Sequence, residues 1–319
     1  MNLNSTLLKN NISSDLLKDF FTLLGNDHQT EYCNKTVFWK NSDHQKHFYS
    51  TIKEKEPDRY SIWKDKQIEY RHNNLGFRSD INFEPGMEGD LYLGCSLTEG
   101  IGLPVEYTWV NHMSKYLNNT SFNLGQGGRG IDTAYRLLLA AHNFGLKFNR
   151  VFLFTPPVYR QEHILKDNNI LKTYLTNPNI ENKFIQIQFQ RYLSKKIFIP
   201  EFKNKNYAEF IHGFLFGSEL QSAVNSLKSI HAIQGACNDI GCRLYYVTFE
   251  DLNSYKTKLK AQRIHNKVVP DLPSRDGHWS AKKQYVIFQS FLEHYPELID
   301  DVDKFRFISD SNLKFKTAI

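Results

Sequence analysis

Four short apolar runs, each closing on Gly, Thr or a polar residue, punctuate the chain: DLYLG at 90–94, SFNLG at 121–125, VFLFT at 151–155 and RLYYVT at 243–248. Runs of this length bounded by turn formers predict strands. Between them, apolar positions recur every three or four residues over 109–117, 132–144, 218–237 and 280–295, the spacing of one buried helix face. Strands alternating with helices imply a parallel sheet covered on both faces, with ligands gathered at the carboxyl ends of its strands. An earlier run, IEYR at 68–71, reads as a further strand before the turn HNNLG.

Upstream, Ser14 followed by DLLKDFFTLLG predicts a short amphipathic helix with a side-chain cap and Gly25 as its stop. Residues 26–66 mix polar and aromatic types without a period. The chain therefore divides into an N-terminal accessory segment (1–66), a catalytic domain (67–300) and a C-terminal tail (301–319). Residues 158–217 break the alternation with mixed aromatic and basic residues. That stretch is too long for a plain connection and predicts an inserted helical or hairpin cap; its rival is an elaboration remote from the site.

Composition narrows the function classes. At 319 residues, with 40% hydrophobic and 23% charged residues, the chain can bury a sizeable core. Its net charge of +6 comes from basic residues spread along the sequence, not from a basic block, so no nucleic-acid partner is expected. The first 24 residues carry Asp15 and Asp19 among their leucines and do not read as a secretory signal. No run approaches the roughly 18 apolar residues of a membrane span. With four cysteines and no signal, a cytoplasmic chain with free thiols is expected. The pair His44-x-x-His47 has no companion ligand nearby, so no metal is expected.

Three junctions carry candidate chemistry. In DLYLGCSLTEG (90–100) an apolar strand runs straight into a small-residue turn that presents Ser96. A nucleophilic hydroxyl needs that placement, clear of a strand's carboxyl end with backbone N–H groups behind it for a developing oxyanion. A plain helix cap is the competing reading. The second junction, NLGQGGRG (123–130), also reads two ways. Gly125-x-Gly127-x-x-Gly130 has dinucleotide-fingerprint spacing, but that reading wants an acid about twenty residues on, where the chain has Arg150. Alternatively, the Gly128 N–H joins that of Ser96 in an oxyanion hole. The third, RDGHWSA (275–281), sets His278 in a polar turn ahead of a helix. The adjacent Asp276 is suited to fix the imidazole tautomer and stabilise the imidazolium, which makes His278 the candidate general base for Ser96.

In this order the three blocks resemble the SGNH (GDSL-like) hydrolase family. Its Gly-Asp-Ser-x-x-x-Gly block appears as Gly94-Cys95-Ser96-Leu97-Thr98-Glu99-Gly100; its Asn and oxyanion Gly fall on Asn123 and Gly128; its closing Asp and His fall on Asp276 and His278. The turn Asn73-Asn74-Leu75-Gly76-Phe77-Arg78 looks like one frequent ahead of the serine block in bacterial members. The resemblance covers about residues 73–295. It implies a flavodoxin-like three-layer α/β/α sandwich and an ester hydrolase working through an acyl-enzyme on Ser96, with no cofactor. It also implies a small acyl group as substrate, such as acetyl on a carbohydrate.

The chain departs from the family in three places. Cys95 stands where Asp is usual. The Gly-x-Asn-Asp block after the third strand is replaced by Thr155-Pro156-Pro157-Val158-Tyr159-Arg160, which removes an oxyanion Asn and leaves Thr155 or Arg160 as substitute donors by position. Asp276 lies two residues before His278 where three is commoner; that third place is Arg275, and Asp271 is the reserve acid. These departures keep two rival functions open. One is an inert SGNH-fold binding or structural protein with an assembly partner; the other is an O-acyltransferase using the same residues.

Overall fold

A computed structural model describes residues 32–40, 43, 48, 61–63, 66–158, 160–164, 170–174, 219–248, 272–275 and 278–299. The helix expected at 14–25, His44, His47, most of the expected cap and the tail lie outside these residues.

The first strands among the described residues form a small antiparallel pair, β1 (Thr36–Val37) on β2 (Tyr70–Arg71). There follow β3 (Glu88–Leu93), the one-turn helix α1 (Ser96–Glu99), α2 (Trp109–Leu117), β4 (Ser121–Asn123), α3 (Ile131–Phe144) and β5 (Lys147–Phe154). Next come a hairpin of β6 (Arg160–Ile164) and β7 (Ile170–Tyr174), then α4 (Glu219–Ile240), β8 (Arg243–Val247) and α5 (Ala281–His294). The hairpin lies at the start of the stretch expected to be a cap.

Four strands form one parallel sheet in the order β4-β3-β5-β8. Counted by appearance in this sheet the order is 2-1-3-4, the flavodoxin-like arrangement. Successive side chains on a strand point to opposite faces, so each strand feeds two cores. Leu91, Leu93, Val151, Leu153 and Leu244 join residues of α3 and α4 on one face. Tyr92, Phe152, Phe154, Tyr245 and Val247 meet α2 and α5 on the other. The fold is a three-layer α/β/α sandwich.

The second face is held largely by aromatic rings. Tyr92, Phe152 and Tyr245 stack in a row across three strands at centroid spacings of 5.1 and 5.2 Å, and Trp109 lies flat on Phe291 at 5.1 Å. Each ring of this size buried among apolar neighbours stabilises by roughly 1.5–3 kcal/mol. The contacts fix α5, and with it the turn that precedes it, against the sheet.

Most boundaries shift by one or two residues from the sequence reading, and two shift further. β5 starts at Lys147, four residues ahead of the apolar run, because its polar first half still pairs with Glu88 and Gly89 across a register irregularity in β3. α4 continues past Cys237 to Ile240, where Gly241 at φ +85° closes it in the left-handed conformation. Among the described residues no helix is long and apolar enough to cross a membrane.

Candidate active site

The sheet order reverses between β3 and β5, and the crevice outside the carboxyl ends of strands at such a point is where ligands bind in open α/β sheets. Ser96 follows β3 directly. The turn that delivers it requires Gly94, whose φ is +152°; a Cβ there would stand 2.1 Å from Thr98 Oγ1 and 2.8 Å from the Phe154 carbonyl oxygen. Cys95 is buried in the aromatic core cluster, so its thiol packs where the resemblance would have put a carboxylate.

His278 lies in the turn before α5, whose first residues are capped by the Ser280 hydroxyl accepting from Lys283 N–H. His278 Nε2 stands 3.0 Å from Ser96 Oγ. Asp276 and the reserve Asp271 lie outside the described residues. Asp276's neighbour Arg275 is described, and its side chain is taken up by other partners. Its guanidinium forms a two-pronged pair with Asp43, Nε to Oδ1 at 2.8 Å and Nη2 to Oδ2 at 2.6 Å, and lies 3.7 Å over the Trp39 ring. The Arg275 N–H donates to Gly102 O at 2.8 Å, Trp63 Nε1 donates to Pro273 O, and Ala281 N–H to Leu272 O. The first of these bonds ties the histidine turn to the loop that leaves α1.

The turn after β4 lies against α1. Gly125 allows this close approach: a Cβ on it would come within 2.5 Å of Glu99 N. Asn123 bridges the two segments, its Nδ2 donating to Thr98 O and its Oδ1 accepting from Gly125 N–H, both at 3.0 Å. Gln126 N–H donates to Gly94 O, and Gly127 N–H donates to Glu99 Oε2 at 2.5 Å. Gly128 follows at φ +75° and is half-buried. Among the described residues neither the Ser96 nor the Gly128 N–H donates to another group.

The other two candidates sit nearby in the chain's path. Thr155 is buried just beyond β5 and its N–H donates to Val247 O at 3.0 Å. Arg160 opens β6, and its carbonyl oxygen lies where a Cβ on Gly130 would approach to 2.3 Å. Gly125 and Gly130 thus serve close packing of the turn. A carboxylate of the chain itself already takes the Gly127 N–H, so that donor is not open to cradle a pyrophosphate, contrary to the dinucleotide reading. Among the described residues no group of three His, Cys, Asp or Glu could hold a metal ion.

Behind the serine turn lies a buried polar network that periodicity does not announce. Lys40 forms an ion pair with Glu99, and its Nζ lies 2.9 Å from His72 Nε2 and 4.8 Å from the centre of the Tyr32 ring. His72 Nδ1 is 3.3 Å from Lys35 O, so the partners assign a neutral ring that donates from Nδ1 and accepts Lys40 at Nε2. Arg78, from the NNLGFR turn, donates to the carbonyl oxygens of Gly100, Leu103 and Glu69. Gln284 of α5 donates to Leu97 O at 3.1 Å and accepts from Trp109 N–H, clamping α1 to two helices.

Burial is the largest influence on the Glu99 carboxyl and opposes its ionisation. The Lys40 charge and hydrogen bond, with the Gly127 N–H, outweigh it and keep the group below its ordinary range. Burial first, then the Lys40 ammonium, push the His72 imidazole down to about 4 from 6.5. Between these two values the unfolded chain binds a proton that the folded one refuses, so folding stability rises with pH across that window. The contribution is complete above pH 6.5 and is lost as pH falls to 4. We expect about 2 kcal/mol from this group after solvent screening. Urea midpoints measured from pH 7 to pH 4 should fall more for the wild-type chain than for His72→Gln; parallel curves would refute the assignment.

Comparison with known protein families and with curated proteins finds none that matches. Among solved structures, the chain is similar to a member of the lipolytic G-D-S-L family from Veillonella parvula, at 8% identity and a TM-score of 0.29, covering 65% of this chain and 97% of that one. It is also similar to an acetyl xylan esterase from the rumen bacterium Butyrivibrio proteoclasticus, at 12% identity and a TM-score of 0.28, covering 69% of this chain and 67% of that one.

Proposed function

We propose that this chain is a serine ester hydrolase in which Ser96 is the nucleophile and His278 its general base. The observation that carries the reading is the 3.0 Å approach of Ser96 Oγ to His278 Nε2, two groups 182 positions apart in the chain. A hydrogen bond of that length is the geometry a base needs to take the hydroxyl proton as Oγ attacks.

In the proposed reaction, Ser96 Oγ adds to an ester carbonyl while His278 accepts its proton. The N–H groups of Ser96 and Gly128 receive the oxyanion, and the imidazolium returns its proton to the leaving alcohol. Water, deprotonated by the same imidazole, then releases the acid. Asp276 is the proposed orienting acid for His278, and Asn123 holds the oxyanion turn against α1 through its two side-chain bonds. Thr155 and Arg160 are proposed to complete the site's edge. The substrate proposed is a small acyl ester, such as O-acetyl on a carbohydrate.

Treatment with a fluorophosphonate probe, followed by peptide mass analysis, tests the nucleophile directly. One adduct on the peptide containing Ser96 is expected. An unlabelled chain that also fails to hydrolyse p-nitrophenyl acetate would leave the inert binding protein as the better reading.

A further inference from the structure

We infer that Glu99, with Lys40 as its counter-ion, is a positioning residue that sets the oxyanion turn: its carboxylate anchors the Gly127 N–H so that the next N–H, that of Gly128, faces Ser96. The inference deepens the esterase reading and rests on it.

The need for an anchor follows from the sequence of the turn. Gly127 and Gly128 are adjacent, and residues without a Cβ have the widest backbone freedom, so this stretch has no stiffness of its own. A donor for an oxyanion must be preset, since an N–H that reorients during the reaction spends on reorganisation what it would contribute to the transition state. Bonds made by neighbouring groups must therefore hold the turn. Asn123 fixes the N–H of Gly125, and Gly94 O accepts from Gln126. Glu99 Oε2, at 2.5 Å from Gly127 N, is the last restraint before Gly128. Glu99 and Ser96 occupy opposite ends of the single turn α1, so one rigid element carries both the nucleophile and the group that sets its oxyanion donor.

The choice of a carboxylate brings a conflict that Lys40 removes. Charge-assisted hydrogen bonds are shorter and about twice as strong as neutral ones, which suits an anchor. A lone buried anion near a site where negative charge develops would raise the barrier. Lys40 Nζ neutralises it, and all three directions of the ammonium are used: Glu99 Oε1, His72 Nε2 and the face of Tyr32. His72 stays neutral, so the cluster of Glu99, Lys40 and His72 carries no net charge. On this inference Lys40, His72 and Tyr32, all ahead of the serine block in the chain, complete the site.

The test compares Glu99→Ala with the double variant Glu99→Gln/Lys40→Met, in which Gln keeps an acceptor for the Gly127 N–H and no unpaired ammonium is left buried. Two readouts are taken on the full chain. Amide hydrogen exchange at Gly127, whose N–H Glu99 holds, should quicken on the order of 10–100-fold in Glu99→Ala and remain near wild type in the double variant. Turnover of p-nitrophenyl acetate, measured well below each variant's unfolding midpoint, should lose on the order of 10²-fold in kcat with little change in KM for Glu99→Ala, and recover most of it in the double variant. A general loss of stability would not produce rescue by Gln together with an exchange change confined to the Gly127 amide. If Ser96→Ala is inactive while Glu99→Ala keeps kcat within about twofold, the anchor is refuted and the esterase reading stands. Equal exchange at Gly127 in wild type and Glu99→Ala also refutes it. An inactive, unlabelled wild-type chain overturns the esterase reading and the catalytic role of the anchor with it.

Discussion

Ser96→Ala is expected to lower kcat for p-nitrophenyl acetate on the order of 10⁴–10⁶-fold, and His278→Ala to do the same, with KM little changed in both. The loss should appear in kcat because the hydroxyl and the imidazole form and break bonds only as the transition state is approached, whereas ground-state binding of a small ester depends on the surrounding walls. The two groups act as one unit through their 3.0 Å contact, so the double variant should be hardly worse than either single one. A residual rate, about 10³-fold above the uncatalysed reaction, should survive in all three from the Ser96 and Gly128 backbone donors. Additive losses would mean that Ser96 and His278 work separately. Retention of full activity by Ser96→Ala would remove the nucleophile altogether.

What could be read from the sequence was whatever leaves a local pattern. The parallel sheet was legible because the central strands, DLYLG and VFLFT, are buried on both faces and the edge strands, SFNLG and RLYYVT, are mostly buried, and such strands are short apolar runs. The junctions that hold Ser96 and His278, the residues proposed as nucleophile and base, were legible because each is a compact polar or small-residue stretch between a strand or loop and a helix. The first half of β5 was not, since KFNR alternates at a sheet end where one side meets solvent.

The network behind α1 was hidden for a different reason. Lys40, Asp43, His72 and Arg275 are ordinary polar residues locally; only the fold puts them in contact, over separations of 32 positions for Lys40 with His72 and 232 for Asp43 with Arg275. Charges buried in pairs have no periodicity, so the stretch 26–66 looked featureless although Lys40 and Asp43 from it are almost fully buried. Two faint signals were present. Glu99 is a charge inside a turn of otherwise small and apolar residues, and Arg275 takes the place where the resemblance would have put an acid. Both are explained by cations and anions that arrive from far along the chain.

That arrangement makes Asp43 the residue whose loss should cost the most stability. Its carboxylate receives both prongs of Arg275 and the Tyr70 hydroxyl, which lies 2.5 Å from Oδ2 and itself accepts from Gly102 N–H at 2.8 Å. Burial, and then the Asp43 charge, hold the Tyr70 phenol well above its ordinary value, so it is a protonated donor at neutral pH. Asp43→Ala leaves the Arg275 guanidinium, only 1% exposed, with Phe38 O as its remaining described acceptor. Breaking a buried pair from one side costs about 3–5 kcal/mol, because the surviving charge has neither partner nor water. Replacing both partners by apolar residues, as in Asp43→Leu/Arg275→Met, should cost much less than the sum of the two single changes, since no ion is then stranded. Urea unfolding of the four chains measures this coupling directly. Arg275 lies three residues before His278 and binds Gly102 through its backbone, so Asp43→Ala should also slow fluorophosphonate labelling of Ser96 at temperatures where the chain is still folded. A stability change below about 1 kcal/mol for Asp43→Ala, the value of a surface pair, would show that water reaches this cluster and that it does not hold the histidine turn.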